Sequence, residues 1–142
     1  MATVFDVAAY ILKECGEMTT MKLQKLIYYC QAWHLVWEDE PLFRERIQAW
    51  ANGPVAPDLY EEHKGLFKTA KLKRGTPRAL NAAQRGSIDA VLKTYANKSS
   101  QWLSDLTHRE LPWAEARVGL GPGERGQREI SQATLAEYYS SL

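Results

Sequence analysis

Cys30 and His34 stand four residues apart in an apolar segment, so on a helix both project from one face. Such a pair can ligate a metal, but zinc takes four protein ligands in a structural site and three plus water in a catalytic one. The other histidines, His63 and His108, have no Cys or His at ligand spacing. A core helix carrying one polar ring is the favoured reading, and neither a metal nor a cofactor is expected. His108 and Glu110 form a second pair just before Pro112-Trp113. An imidazole beside a carboxylate can do acid–base chemistry. No nucleophile or oxyanion element accompanies it, and G-x-S-x-G, H-E-x-x-H and the phosphate-loop Lys are all missing. Gly119, Gly121, Gly123 and Gly126 suggest a phosphate loop, yet no strand signal precedes them and Pro122 has no N–H to offer. All these residues read as local structure, and the chain is not expected to be an enzyme.

Binding chemistry is better represented. Between His63 and Ile88 there is no acid, yet Lys64, Lys68, Lys71, Lys73, Arg74, Arg78 and Arg85 give +7. With an overall net charge of +1, the rest of the chain carries −6. A basic arm on an acidic body can touch phosphates or an acidic partner surface, or be a solvated connector. No helix-turn-helix signature accompanies it, so nucleic acid stays an open alternative. Gln24, Tyr28 and Gln31 fall at i, i+4 and i+7 on a helix otherwise apolar. A stripe like that is satisfied internally or faces a groove. The candidate partner-binding residues are therefore Gln24, Tyr28 and Gln31, then Trp50, Asn52 and Tyr60, then Lys68, Lys71, Lys73, Arg74 and Arg78 on the arm.

The elements that must position these residues follow from periodicity and capping. Thr3 caps a helix over 3–15 with Val4, Val7, Ala8, Ile11 and Leu12 on one face, and Gly16 stops it. Thr20 is expected to cap a second helix over 21–38, apolar nearly all round and hence buried centrally. Leu42-Phe43 and residues 47–50 are expected to pair as a hairpin with Arg44-Glu45-Arg46 at its tip. Asn52-Gly53-Pro54 is a turn in which Gly53 takes positive φ, and Pro57 opens a short helix. Residues 65–80 read as a connector. Asn81, Ser99 or Ser100, and Ser131 cap three further helices, with Trp102 expected inward, and Pro112 opens a short turn of helix. The fold class is mainly α: a compact single domain over 1–142 with about six helices and at most a small β-hairpin. At 142 residues it buries enough surface to need no disulfide, and Cys15 and Cys30 are read as reduced. No run of about 18 apolar residues or signal-like opening is present, so a cytoplasmic protein without membrane contact is expected.

Three motifs carry a family resemblance. Leu23-Gln24-Lys25-Leu26-Ile27-Tyr28-Tyr29-Cys30-Gln31 resembles the L-x-K-L-h-Y-x-x-Q helix of the Panacea domain, the SocA-like family. Residues 47–55, ending Gly53-Pro54-Val55, with Pro57 and Tyr60, resemble its second motif, and 106–110 with Pro112-Trp113 its third. The resemblance implies a mostly helical antitoxin of a bacterial or phage toxin–antitoxin pair that neutralises its toxin by direct protein binding. It also admits an adaptor mode, with a protease or chaperone as a further partner. The family carries no established catalytic residues, so Gly53, Pro54, His108 and Trp113 enter as structural motif residues only.

Overall fold

The computed structural model describes residues 2–142. Its first helix, α1 (Val4–Cys15), begins in a capping box: Thr3 Oγ1 accepts from Asp6 N–H, and the Asp6 carboxylate accepts from Thr3 N–H. Asp6 also accepts from Thr76 N–H at 2.8 Å, which ties α1 to the far end of the basic segment.

The second helix, α2 (Thr20–Glu38), is the centre of the fold, as its all-round apolar sequence requires. Leu23, Leu26, Ile27, Tyr29, Cys30 and Ala32 are fully buried. Its cap is Thr19, not Thr20. Met18–Thr19 pairs as strand β1 with β4 (Lys68–Thr69), and this antiparallel contact draws Thr20 aside to donate to the Leu66 carbonyl. Thr19 is then free to accept from Lys22 N–H.

The expected hairpin over residues 42–50 is corrected. The Gln31 side chain accepts from Leu42 N–H at 2.7 Å and donates to the Phe43 carbonyl at 2.8 Å, so a side chain takes the bonds a strand partner would have made. The hairpin is instead β2 (Gln48–Trp50) against β3 (Gly53–Val55), turning at Ala51-Asn52. Residues 128–130 run along its outer edge, where Ala49 N–H donates to the Arg128 carbonyl and Ile130 N–H to the Ile47 carbonyl.

Helix α3 (Pro57–His63) follows with Pro57 at its first turn. A 3-10 turn over Pro77–Ala79 leads to α4 (Ala82–Tyr95), which Asn81 caps in a second capping box with Gln84. Then come α5 (Ser100–Arg109), capped by Ser99, α6 (Leu111–Ala116), and α7 (Gln132–Ser140), capped by Ser131. Helices α4, α5 and α7 all pack on α2. Among the described residues, seven helices and two small two-stranded sheets make the mainly α fold that the sequence suggested. Trp102, expected inward, is 40% exposed. It lies on the outer face of α5 under the ammonium of Lys98, 4.9 Å from its ring.

Candidate functional site

Three segments that the sequence holds apart meet at the amino-terminal half of α2. Gln24 supplies a floor. Its carbonyl oxygen accepts from Ala56 N–H at 2.9 Å, and its amide donates to the Ala56 carbonyl and to His63 Nε2, the latter at 2.9 Å. This carboxamide bridge holds the segment between β3 and α3 against α2. His63 accepts from an amide, so it sits as a neutral ring, and burial holds its pKa below the usual imidazole value. Trp50 and Tyr60 meet edge to face, with ring centroids 4.9 Å apart. Together with Met21, Lys25, Asn52, Val55, Lys64 and the segment Arg125–Gln127, these residues enclose an open cleft of about 520 Å³.

Lys25 is the residue that sequence reasoning missed. It is 1% exposed, lines the cleft, and donates from Nζ to the Pro54 carbonyl at 3.1 Å. No acid stands near enough to counter its burial, which alone pushes its pKa down to about 7. The signal was present in the sequence: a lysine between Leu23, Leu26, Tyr28 and Tyr29 on an all-apolar helix has no solvent to reach.

The third wall depends on Arg117, which is buried and donates to the carbonyls of Ala49, Gly121 and Glu124. One guanidinium thus organises the glycine-rich loop so that Arg125–Gln127 reaches the cleft. The hairpin is braced from below. His108 stacks face to face on Trp113 at 3.9 Å, Trp113 Nε1 donates to the Trp50 carbonyl at 2.8 Å, and Ser104 donates to the Asn52 carbonyl.

Of the residues singled out from sequence, the fold brings Gln24, Trp50, Asn52 and Tyr60 together in this cleft. Tyr28 and Gln31 are elsewhere, and their place on a partner surface is corrected. Each is 1% exposed: Tyr28 shares a hydrogen bond with Tyr139 at 3.0 Å, and Gln31 is spent on the 42–43 backbone. The stripe they form with Gln24 is internally satisfied. On the arm, Lys68, Lys71, Lys73, Arg74 and Arg78 are all exposed. The segment is nevertheless pinned to α1. The Arg74 guanidinium lies 3.9 Å over the Phe5 ring, and Gly75, at φ 94°, crosses the Phe5 carbonyl too closely for any side chain. It is a fixed basic edge, where the sequence suggested a connector.

His108 and Glu110 face different partners. Glu110 accepts from Tyr29 at 2.6 Å and from Tyr139 at 2.8 Å inside the bundle, and burial raises its carboxyl pKa despite those two donors. Burial lowers the pKa of His108. Cys30 is buried and free, and His34 Nδ1 pairs with Ser87 Oγ at 2.7 Å. No group of three or more His, Cys, Asp or Glu residues among the described residues could hold a metal. The tyrosine pair makes a test of this buried junction of α2, α5 and α7. Tyr139→Phe removes one donor to Glu110 and the Tyr28 bond, at an expected cost of about 1–2 kcal/mol in denaturant melts. Combined with Tyr29→Phe the loss should exceed the sum of the singles, since the second change strands a buried carboxyl. Additive losses would mean that Glu110 finds water.

The arrangement is a rigid cleft, lined by aromatics and cations and held by side-chain-to-backbone bonds, beside a fixed basic edge. The antitoxin SocA-like, Panacea domain family matches residues 23–114, about two thirds of the chain. The chain belongs to that family. The matched span takes in the α2 motif, the β2–β3 turn and the His108–Trp113 brace, and so covers most of the cleft's scaffold. The Arg125–Gln127 wall comes from beyond the match. No curated protein and no solved structure matches the chain. No helix among the described residues is long and apolar enough to cross a membrane.

Proposed function

We propose that this Panacea-domain protein acts in the cytoplasm as a single-domain antitoxin, binding its cognate toxin directly and covering the toxin's working surface without turnover. The family match over residues 23–114 carries this reading. The surface supports it. Trp50 and Tyr60 offer aromatic anchors in a preformed cleft, Met21, Leu66 and Phe67 are exposed beside it, and Phe67 is 75% exposed. Lys64 and Lys68 flank that apolar step. Aromatic anchors inside a charged rim are the anatomy of a specific protein interface. Reading frames next to the gene, expressed alone and with this chain, test the proposal. The expected result is growth arrest by one of them, relieved by this protein through a complex that purifies intact with the toxin undiminished. Rescue accompanied by loss of the toxin protein would point to delivery to a protease and overturn neutralisation by occlusion.

The basic edge should set the rate of encounter. Lys68→Glu, Lys71→Glu and Lys73→Glu together are expected to slow association about tenfold at low salt and only slightly above 0.5 M, where the Debye length is a few ångströms. Arg74 is left intact because it packs on Phe5. Surface-binding kinetics with the toxin read this directly. A wild-type association rate at low salt would reduce the edge to a solvated face, and binding of duplex DNA with a steep salt slope would reassign it to nucleic acid.

A further inference from the structure

The cleft has a charge that nothing in the protein balances. Lys25 lies at its wall with three N–H donors and one protein acceptor, the Pro54 carbonyl. Lys64 and Arg125 also line the cleft, and none of the lining residues is an acid. Gln24 is fully used by Ala56 and His63, so the buried free donor of the lining is the Lys25 ammonium, with the exposed side chains of Asn52, Lys64, Arg125 and Gln127 around it. The walls near it are Trp50, Tyr60, Val55 and Met21. A buried cation without a counter-charge is costly and is relieved by an anion that arrives with a ligand.

We propose that this cleft is a receptor for a single carboxylate on an apolar or aromatic stem, presented by the toxin as an acidic side chain or chain end. The carboxylate pairs with Lys25 and the stem packs between Trp50 and Tyr60. Lys64 and Arg125 at the mouth favour further acidic residues flanking it. A phosphate fits less well, because it calls for several converging donors, and of the cleft's three cations only Lys25 is buried while Lys64 and Arg125 are exposed at its mouth. The volume, about 520 Å³, suits a side chain with its neighbours and falls in the range of small-ligand sites. The inference rests on the toxin-binding reading and names what that surface recognises.

The full-length chain and its purified toxin provide the test, with 3-phenylpropionate and its uncharged amide as probes. In the wild-type protein, NMR should show the carboxylate, but not the amide, shifting the Lys25 Nζ and Trp50 indole signals and raising the Lys25 pKa. Inorganic phosphate should leave them in place. Lys25→Met should abolish the probe response and weaken toxin binding tenfold or more, while Lys25→Arg should recover part of it. A toxin bound with unchanged affinity by folded Lys25→Met would overturn the proposal and leave neutralisation by binding intact. Probe binding with no effect of Lys25→Met on the toxin would make the cleft a small-molecule site, which also overturns it. Equal response to acid and amide would remove the charge from the argument.

Discussion

Gly53→Val is expected to lose about 3 kcal/mol or more of stability, against about 1–2 kcal/mol for Val55→Ala two residues on. Two independent causes add at this glycine. Its φ is 123°, a backbone conformation that a β-branched residue reaches only with strain. A Cβ there would also stand 2.5 Å from Lys25 Cε and 3.2 Å from Thr107 Oγ1. Moving the lysine tip aside would break its bond to the Pro54 carbonyl. Val55, by contrast, loses only two methyl groups from a site already 8% exposed. The two causes separate in a double-mutant cycle. In a Lys25→Ala background the steric part of the Gly53→Val penalty should shrink to the Thr107 contact and the backbone part remain. Urea melts showing Gly53→Val within about 1 kcal/mol of wild type would mean that the β2–β3 turn rearranges freely, and the cleft could not be preformed.

What could be read in advance depended on how local each cause was. Thr3, Asn81, Ser99 and Ser131 announce their helices because a cap acts within three residues, and all four accept the expected backbone N–H. Gly53 announced its positive φ for the same reason. The hairpin was misplaced because its rival was a side chain: Gln31, eleven residues before Leu42, takes the 42–43 backbone. Alternation in sequence carries no trace of such a bond. The arm looked like a connector because its clamps, Asp6 to Thr76 and Phe5 to Arg74, span about seventy residues. Of the candidate site, Gln24, Trp50, Asn52 and Tyr60 were legible as polar or aromatic groups near turns and on the α2 stripe. Lys25 was passed over although its apolar neighbours Leu23, Leu26, Tyr28 and Tyr29 carried the signal, because a lysine is read as solvated by default. Tyr28 and Gln31 failed in the opposite sense, since a polar stripe looks identical in sequence whether Tyr139 or a partner satisfies it.

Lys25→Met should make the free protein more stable while making it a worse binder. The buried ammonium has its pKa lowered from 10.5 to about 7. Between those values the unfolded chain holds a proton that the folded chain has released, so wild-type stability rises with pH from about 7 upward. Burial raises the pKa of Cys30 from 9.0 and those of Tyr28, Tyr29 and Tyr139 from 10.0, which lowers stability as pH rises beyond those ordinary values. His34, His63 and His108, whose pKa values burial lowers from 6.5, add a smaller rise just above pH 7 in both proteins, so the difference between wild type and Lys25→Met isolates Lys25, and it should change by about 2 kcal/mol between pH 7 and 9. Lys25→Met should keep only the small histidine rise over the same interval and exceed wild type at pH 6 by a few kcal/mol, because an apolar side chain of similar length replaces an unbalanced buried charge. Urea melts at three pH values decide this. A variant with the wild-type slope, or one less stable at pH 6, would mean that Lys25 finds a counter-charge inside the fold. The Gln24–Ala56–His63 bridge already holds this corner, so stability gives no reason for a cation there. On the proposed reading the compensation lies in the complex, where a carboxylate from the toxin would neutralise the charge and restore the lost stability as affinity.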